Sequence, residues 1–279
     1  MERIKRNERM AALTKWLTDS PNQIFTLSQF CERFGSAKST MSEDIDILRQ
    51  VFETFELGRL ETVTGAAGGV RYRPYLSPKA SYDFVQELCG QLCVPSRVLP
   101  GGFLYLSDIL SMHELVWKMG IIIAGQFYDA APDFVLTMET KGIPVALMTS
   151  RALGVPLVYE GSAVNINYVS GSDHHIETMS LSRRAVNEGQ RALIVDDFLK
   201  GGGTAKGMID LMAEFDVEVV GTAFVMSTEN PNQRCIRNEK ALMTMNVTDD
   251  PASLTVRPAP WLRELAGEGA VCAEQEGTN

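Results

Sequence analysis

Apolar positions in the first quarter of the chain keep helical spacing three times and then switch to alternation. Met10, Leu13 and Leu17 stand three and four apart, which predicts an amphipathic helix over residues 4–19. "SPNQ" breaks it, and "IFTL" suits a short strand. Leu27, Phe30, Cys31 and Phe34 follow at i, i+3, i+4 and i+7, a short second helix that ends at the tight turn "GSA", residues 35–37. Met41, Ile45, Leu48, Phe52 and Phe55 carry a longer third helix. "GRLETV" and "VRYRP" then alternate apolar and polar positions on either side of "TGAAGG", as two paired strands do. Three helices and a hairpin make a winged helix, with "SAKSTMS", residues 36–42, opening its recognition helix.

"PYLSPKA", with its two prolines, reads as a linker and divides the chain into residues 1–75 and 76–279. Beyond it the pattern alternates helix and strand. A helix over about residues 112–128 precedes the strand "DFVLTME", a helix over about 142–153 precedes "VPLVY", and "RALIVDD" precedes the helix "TAKGMIDLMAEF" and the strand "VEVVGTAFVM". Continuous apolar strands between helices predict a central parallel sheet covered on both faces. "AVNINYVS" and "HIETMSLS", joined by "GSDH", add an antiparallel hairpin. The fold class is therefore α/β, with a winged-helix domain at the N-terminus.

Composition narrows the function classes. Hydrophobic residues make up 45% and charged ones 22% of 279 residues, the balance of a soluble globular protein, and no apolar run reaches the length of a membrane span. The N-terminus lacks the apolar core of a secretory signal, and five cysteines without framework spacing suit reduced thiols, so a cytoplasmic location is expected. Three histidines make a His-based metal site improbable. The net charge of −9 is uneven: residues 1–76 hold 11 Lys/Arg against 10 Asp/Glu, and all the excess negative charge lies beyond them. Only the N-terminal domain can approach double-stranded DNA without repulsion.

Within that domain, Arg3, Lys5, Arg6 and Arg9 form a basic arm, and Lys38, Ser39, Thr40 and Ser42 are short donors at the start of the recognition helix. Arg71 and Arg73 share one face of the wing. Arm, helix and wing together place cations where backbone phosphates would lie. A dimerisation or protein-contact module is the alternative, given some weight by Glu43, Asp44 and Asp46 close behind the donors.

Ligand chemistry concentrates at two strand ends. In "ALIVDDFLKGGGTAKGM", residues 192–208, an apolar strand ends in Asp196 and Asp197, followed by Lys200, Gly201, Gly202, Gly203 and Thr204 and then a helix. Glycines let backbone N–H groups close around a phosphate at the positive end of that helix, and paired acids suit two ribose hydroxyls or a nearby magnesium ion. A Walker A loop is absent, and a dinucleotide fingerprint counted from Gly201 meets Lys206 where its third glycine belongs. The second loop, "TMETKGIP" at residues 137–144, follows the strand "DFVL".

The strand–Asp–Asp–glycine loop resembles the signature of type I phosphoribosyltransferases, which bind phosphoribosyl pyrophosphate (PRPP). The full set "SAKSTMSEDI", "GAAGGV", "LPGGFLYLSDIL", "TKGIP", "NINYVSGS", "ETMSL" and "VDDFLKGGGT" resembles, in order, the purine operon repressors of Gram-positive bacteria, a winged helix fused to a phosphoribosyltransferase-like domain. The resemblance implies that Asp196 and Asp197 hold the ribose hydroxyls, Lys200 to Thr204 the 5′-phosphate, and Thr140, Lys141 and Gly142 the pyrophosphate. It also implies a homodimer that binds control regions of purine genes and loosens its hold when PRPP binds, with magnesium as a companion of the ligand and no required cofactor. By analogy with related transferases, guanosine tetraphosphate could compete for the same pocket.

One departure concerns the hood that covers the site in transferases. After Val158 only "YEGS" precedes the next strand, several residues short of the family pattern and without Lys or Arg. The polar stretch "STENPNQRCIRNEK" offers no base-recognition segment. Ribosyl transfer needs a closed, dry site and an oriented base, so the expectation is a sensor without turnover. A catalytically active purine phosphoribosyltransferase with a fused DNA-binding domain is the alternative, and a winged helix that docks a protein such as polymerase is a third reading. Phe103 and Tyr105 read as core or interface residues able to line the pocket, His174 and His175 as solvated turn residues, and "AGEGAVCAEQEGTN" as an acidic tail.

Overall fold

The computed structural model of the chain describes residues 4–65, 68–100, 103–159, 185–229, 235–246 and 253–267, and the backbone of 164–169 and 176–181. Helices α1 (Arg6–Asp19), α2 (Leu27–Phe34) and α3 (Lys38–Thr54) are followed by the antiparallel pair β1 (Arg59–Val63) and β2 (Gly69–Arg73). Their apolar stripes meet in a core of their own, in which Leu13, Leu17, Phe30, Met41 and Phe52 are fully enclosed beside Val70 and Tyr72 of the wing. Local chemistry sets the boundaries. Thr26 and Gln29 form a reciprocal capping box at the start of α2, and Gly35 closes it in the left-handed region at φ 59°. The "IFTL" segment contributes a single antiparallel bridge, Phe25 to Val70, and so ties the helices to the wing.

Helix α4 (Pro78–Leu92), capped by Ser77 with proline in its first turn, leads into the second domain. There the short strands β3 (Val98–Leu99) and β4 (Phe103–Leu104), then α5 (Ser107–Leu110) and α6 (His113–Phe127), precede the sheet strands. These are β5 (Phe134–Thr137), β6 (Leu157–Tyr159), β9 (Arg191–Leu199), β10 (Glu218–Thr228), β11 (Lys240–Asn246) and β12 (Thr255–Pro258). They lie in the order β12-β11-β10-β9-β5-β6, parallel throughout except for β12 at the edge. Helices α7 (Ile143–Leu153) and α8 (Gly203–Glu214) follow β5 and β9, and α9 (Pro260–Ala266) ends the described fold. Strands β7 (Val164–Val169) and β8 (Ile176–Leu181) pair antiparallel, forming the hairpin that the alternation predicts.

Ala192 to Val195 are completely buried, because the central strand is covered on both faces. The sequence pattern stops short at β11, β12 and α9. Their signals are an apolar run after a polar stretch and a four-residue edge strand, both too short to show a period. Trp261 secures this corner by donating its indole N–H to the Ala241 carbonyl at 2.6 Å.

The two domains meet along a polar seam. Asn22 donates its side-chain amide to the Leu153 carbonyl at 2.7 Å, and the Tyr128 hydroxyl reaches the carbonyls of Pro74 and Ala152 at 3.2 and 3.3 Å. Arg73 lies 4.3 Å over the Tyr128 ring and also bonds to Asn22 Oδ1 at 3.1 Å. Burial pushes the Tyr128 hydroxyl far up from its ordinary range, so it stays a neutral donor at the seam. Among the described residues no helix is long and apolar enough to cross a membrane.

Candidate effector pocket and nucleic-acid interface

Strands β5 and β9 are hydrogen-bonded neighbours whose register pairs Leu136 with Ile194. Both chains therefore leave the sheet at the same edge, where open α/β sheets bind ligands. On β9, Asp196 is 7% exposed and Asp197 is half-buried. Beyond them Gly202, at φ 81°, adopts the left-handed backbone that turns the chain into α8. The first amides of α8 have no acceptor inside the helix, so the turn offers donors and the positive end of the helix dipole. A concave site results, lined by Phe103, Asp196, Phe198, Lys200 to Ala205 and Phe224.

Burial pushes the Asp196 carboxyl well above the usual carboxylate range, and the charge of Asp197 adds to the shift. Burial raises Asp197 as well, offset in part by the Lys141 ammonium of the other loop. Asp197 donates its backbone N–H to Asp196 Oδ1 at 3.0 Å. The acids thus sit under strain from each other and from desolvation, a state that hydroxyl or cation partners would relieve.

In the β5–α7 loop, Thr140 and Lys141 are exposed, while Gly142 is buried as the N-cap of α7. A Cβ at Gly142 would collide with Asp196 Oδ1 and come within 2.5 Å of Thr137 Oγ1. Only glycine allows the two loops this approach. The structure therefore brings Asp196 together with Lys200 to Thr204, sets Gly142 against Asp196, and keeps Lys141 within electrostatic reach of Asp197. Residues 160–163 and 170–175, including most of the crossing after Val158 and both turn histidines, lie outside the described residues.

Two contributors were not singled out by the sequence pattern. Phe198 packs against Phe103 with ring centroids 5.3 Å apart, and Lys200 Nζ lies 4.9 Å over the Phe103 ring. The pair forms an apolar wall with a cation at its edge. Phe198 stands two residues beyond Asp196, so strand alternation puts both on one face, a signal easily taken for core. Thr137, at the end of β5, is the other.

On the winged helix, Lys38 and Ser39 are exposed and Thr40 half-buried at the start of α3. Lys5 is exposed at the head of α1, and Arg3 lies outside the described residues. Arg6 keeps an exposed side chain, and among the described residues only Arg9 departs from the surface arm. Arg9 is buried and bonds Asp44 at 2.5 Å, while Arg6 bonds the other oxygen of Asp44 at 2.9 Å. Asp44, on α3 itself, is thus not a surface acid behind the donors but the buried anchor of two arginines. Arg71 and Arg73 do share one face of the wing, but both reach Glu61, at 2.9 and 3.1 Å. Arg73 is taken up by the seam, its side chain only 13% exposed.

Residues 5–74 match the family model for the N-terminal domain of the bacterial purine repressor, and residues 109–251 match the phosphoribosyl transferase domain. The chain is 42% identical over 252 residues to the purine biosynthesis transcriptional repressor PurR of Bacillus subtilis, covering 88% of each chain. The chain belongs to the bacterial purine repressor family. It is also 39% identical over 254 residues to the purine biosynthesis transcriptional activator PurR of Lactococcus lactis, across 88% of this chain and 94% of that one. The xanthine phosphoribosyltransferase of Limosilactobacillus fermentum is 34% identical but matches only 46% of this chain, and 72% of its own length. Among solved structures, the adenine phosphoribosyltransferase of Rhodothermus marinus matches 57% of this chain and 96% of its own, at 23% identity and a TM-score of 0.49. The relatives that match 88% of the chain are thus named as regulators, whereas the xanthine phosphoribosyltransferase matches less than half of it.

Proposed function

We propose that this protein is a DNA-binding transcription regulator of purine biosynthesis genes, a homodimer that senses PRPP in a pocket without turnover. The observation that carries the reading is the convergence of the Asp196–Asp197 pair, the glycine turn before α8 and the Gly142 loop in a chain that begins with a winged helix. Its chemistry matches PRPP part by part. The acids accept from the two ribose hydroxyls, the amides and Thr204 hydroxyl at residues 200–204 receive the 5′-phosphate, and Thr140, Lys141 and Gly142 receive the pyrophosphate. The carboxylates of Asp196 and Asp197 are hard oxygen donors of the kind that fit magnesium arriving with the ligand.

PRPP is expected to lower DNA affinity, since it adds concentrated negative charge to a protein that already carries −9. Guanosine tetraphosphate is the proposed competitor: its phosphates suit the same turns, and the Phe103–Phe198 wall offers its base an aromatic surface. Relatives that span both domains bear the names of a repressor and of an activator, so the sign at a given promoter depends on where the dimer sits.

Absence of turnover is tested by incubating the protein with PRPP, magnesium and adenine, guanine, hypoxanthine or xanthine. No nucleotide is expected, and measurable nucleotide formation would establish the enzyme reading. The DNA face is tested separately. Lys38→Ala is expected to weaken binding by a similar factor on all sequences and to reduce the dependence on salt by about one ion. Unchanged affinity and salt slope would move the interface away from the start of α3.

A further inference from the structure

Thr137 is the last residue of β5 and is 1% exposed, yet its hydroxyl oxygen is completely enclosed with no hydrogen-bond partner. An enclosed hydroxyl without a partner is destabilising, and a buried strand offers valine as an apolar replacement of the same shape at no such cost. The hydroxyl is not aimed at random. It lies within 2.5 Å of the point where a Gly142 side chain would begin, and Asp196 Oδ1 crowds that same point. Gly142, Asp196 and Thr137 therefore converge from three segments, the N-cap of α7, the second half of β9 and the end of β5, beside the pocket that Asp196 lines.

We propose that Thr137 is a positioning residue of the effector pocket, whose hydroxyl donates to Asp196 Oδ1 when ligand seats the two loops. Oδ1 already accepts from the Asp197 backbone N–H at 3.0 Å, lies against Gly142 as the Thr137 hydroxyl does, and as a carboxylate oxygen can accept a second bond. A second donor there fixes the rotation of the carboxylate, leaving Oδ2 directed at the ribose hydroxyl. Ligand binding thereby satisfies a hydroxyl that otherwise has no partner, and the cost of burying it is relieved on binding. The proposal rests on the PRPP reading above.

The test compares the full-length wild type with Thr137→Val and Thr137→Ser, measuring thermal unfolding without ligand and PRPP affinity by calorimetry. Valine is expected to leave unfolding unchanged or shift it upward while weakening PRPP on the order of tenfold, the worth of one hydrogen bond to a charged group. Serine, which keeps the donor, is expected to bind within a few-fold of wild type. Valine that binds PRPP as tightly as wild type overturns the proposal. So does valine that binds weakly but unfolds earlier with no rescue by serine, which marks a packing role only. If wild type itself fails to bind PRPP, the ligand assignment falls and this inference with it, a result distinct from failure in the variants alone.

Discussion

Asp196→Asn is expected to unfold later than the wild type at neutral pH and, in the same protein, to lose its response to PRPP. The first effect follows from the raised pKa. A carboxyl whose folded-state pKa lies above its unfolded value binds more protons folded than unfolded across the interval between them. Its contribution is complete below the ordinary carboxylate range and is lost as pH rises through the raised value. Wild type is therefore expected to gain stability as pH falls from neutral toward that range, with Asp197 acting in the same direction, since it too is raised. Asparagine keeps the shape and removes the ionising group, so the variant gains at neutral pH and loses most of that slope. The second effect follows because asparagine cannot offer a charged acceptor to the ribose, a loss of about tenfold to a hundredfold in affinity. Urea unfolding between pH 5 and 8, with and without PRPP, reads both. A variant less stable than wild type at pH 7 would contradict the account of the buried pair.

Asp44→Ala should have the largest effect on folding, destabilising the winged helix by about 3–5 kcal/mol. Asp44 is fully enclosed and binds Arg9, itself almost buried, together with Arg6. Truncation leaves the Arg9 guanidinium enclosed without its counter-charge, and a domain whose total stability is of order 5–15 kcal/mol loses a large share of it. Replacing both partners with apolar residues of similar volume, as in Arg9→Met with Asp44→Leu, is expected to recover most of the loss. Circular dichroism during thermal unfolding, with proteolysis to report which domain opens, would decide. A single alanine that costs less than about 1 kcal/mol would place Asp44 energetically among surface acids.

These two acids show what sequence patterns can and cannot carry. Asp196 was legible as a candidate ligand residue because its signal is local in sequence: a buried strand, two acids, a glycine turn and a helix follow one another within seventeen residues of chain. The winged helix was legible for the same reason, its three helices and hairpin being periodic and consecutive. Asp44 and Arg9 are 35 positions apart, and nothing in the spacing of charges tells a buried ion pair from a basic arm beside an acidic patch. Arg73 looks like a wing cation until the fold brings Tyr128, 55 residues further on, beneath it. Thr137 and Phe198 lie on strands whose alternation assigns them to the core, and only the fold shows that Phe198 lines the pocket and that Thr137 shares the approach of Gly142 to Asp196. Strand β12 pairs antiparallel at the sheet edge over four residues, too few for a period to emerge.

The most direct measurement is affinity for DNA from the control region of a purine biosynthesis gene, at one fixed salt concentration, with PRPP, with ribose 5-phosphate and with neither. Specific binding that PRPP weakens and ribose 5-phosphate does not would be the predicted result, because only PRPP engages the Thr140–Gly142 loop as well as the glycine turn. Specific binding that is indifferent to PRPP, or no specific binding at all, would contradict the account of the second domain as the sensor of the first.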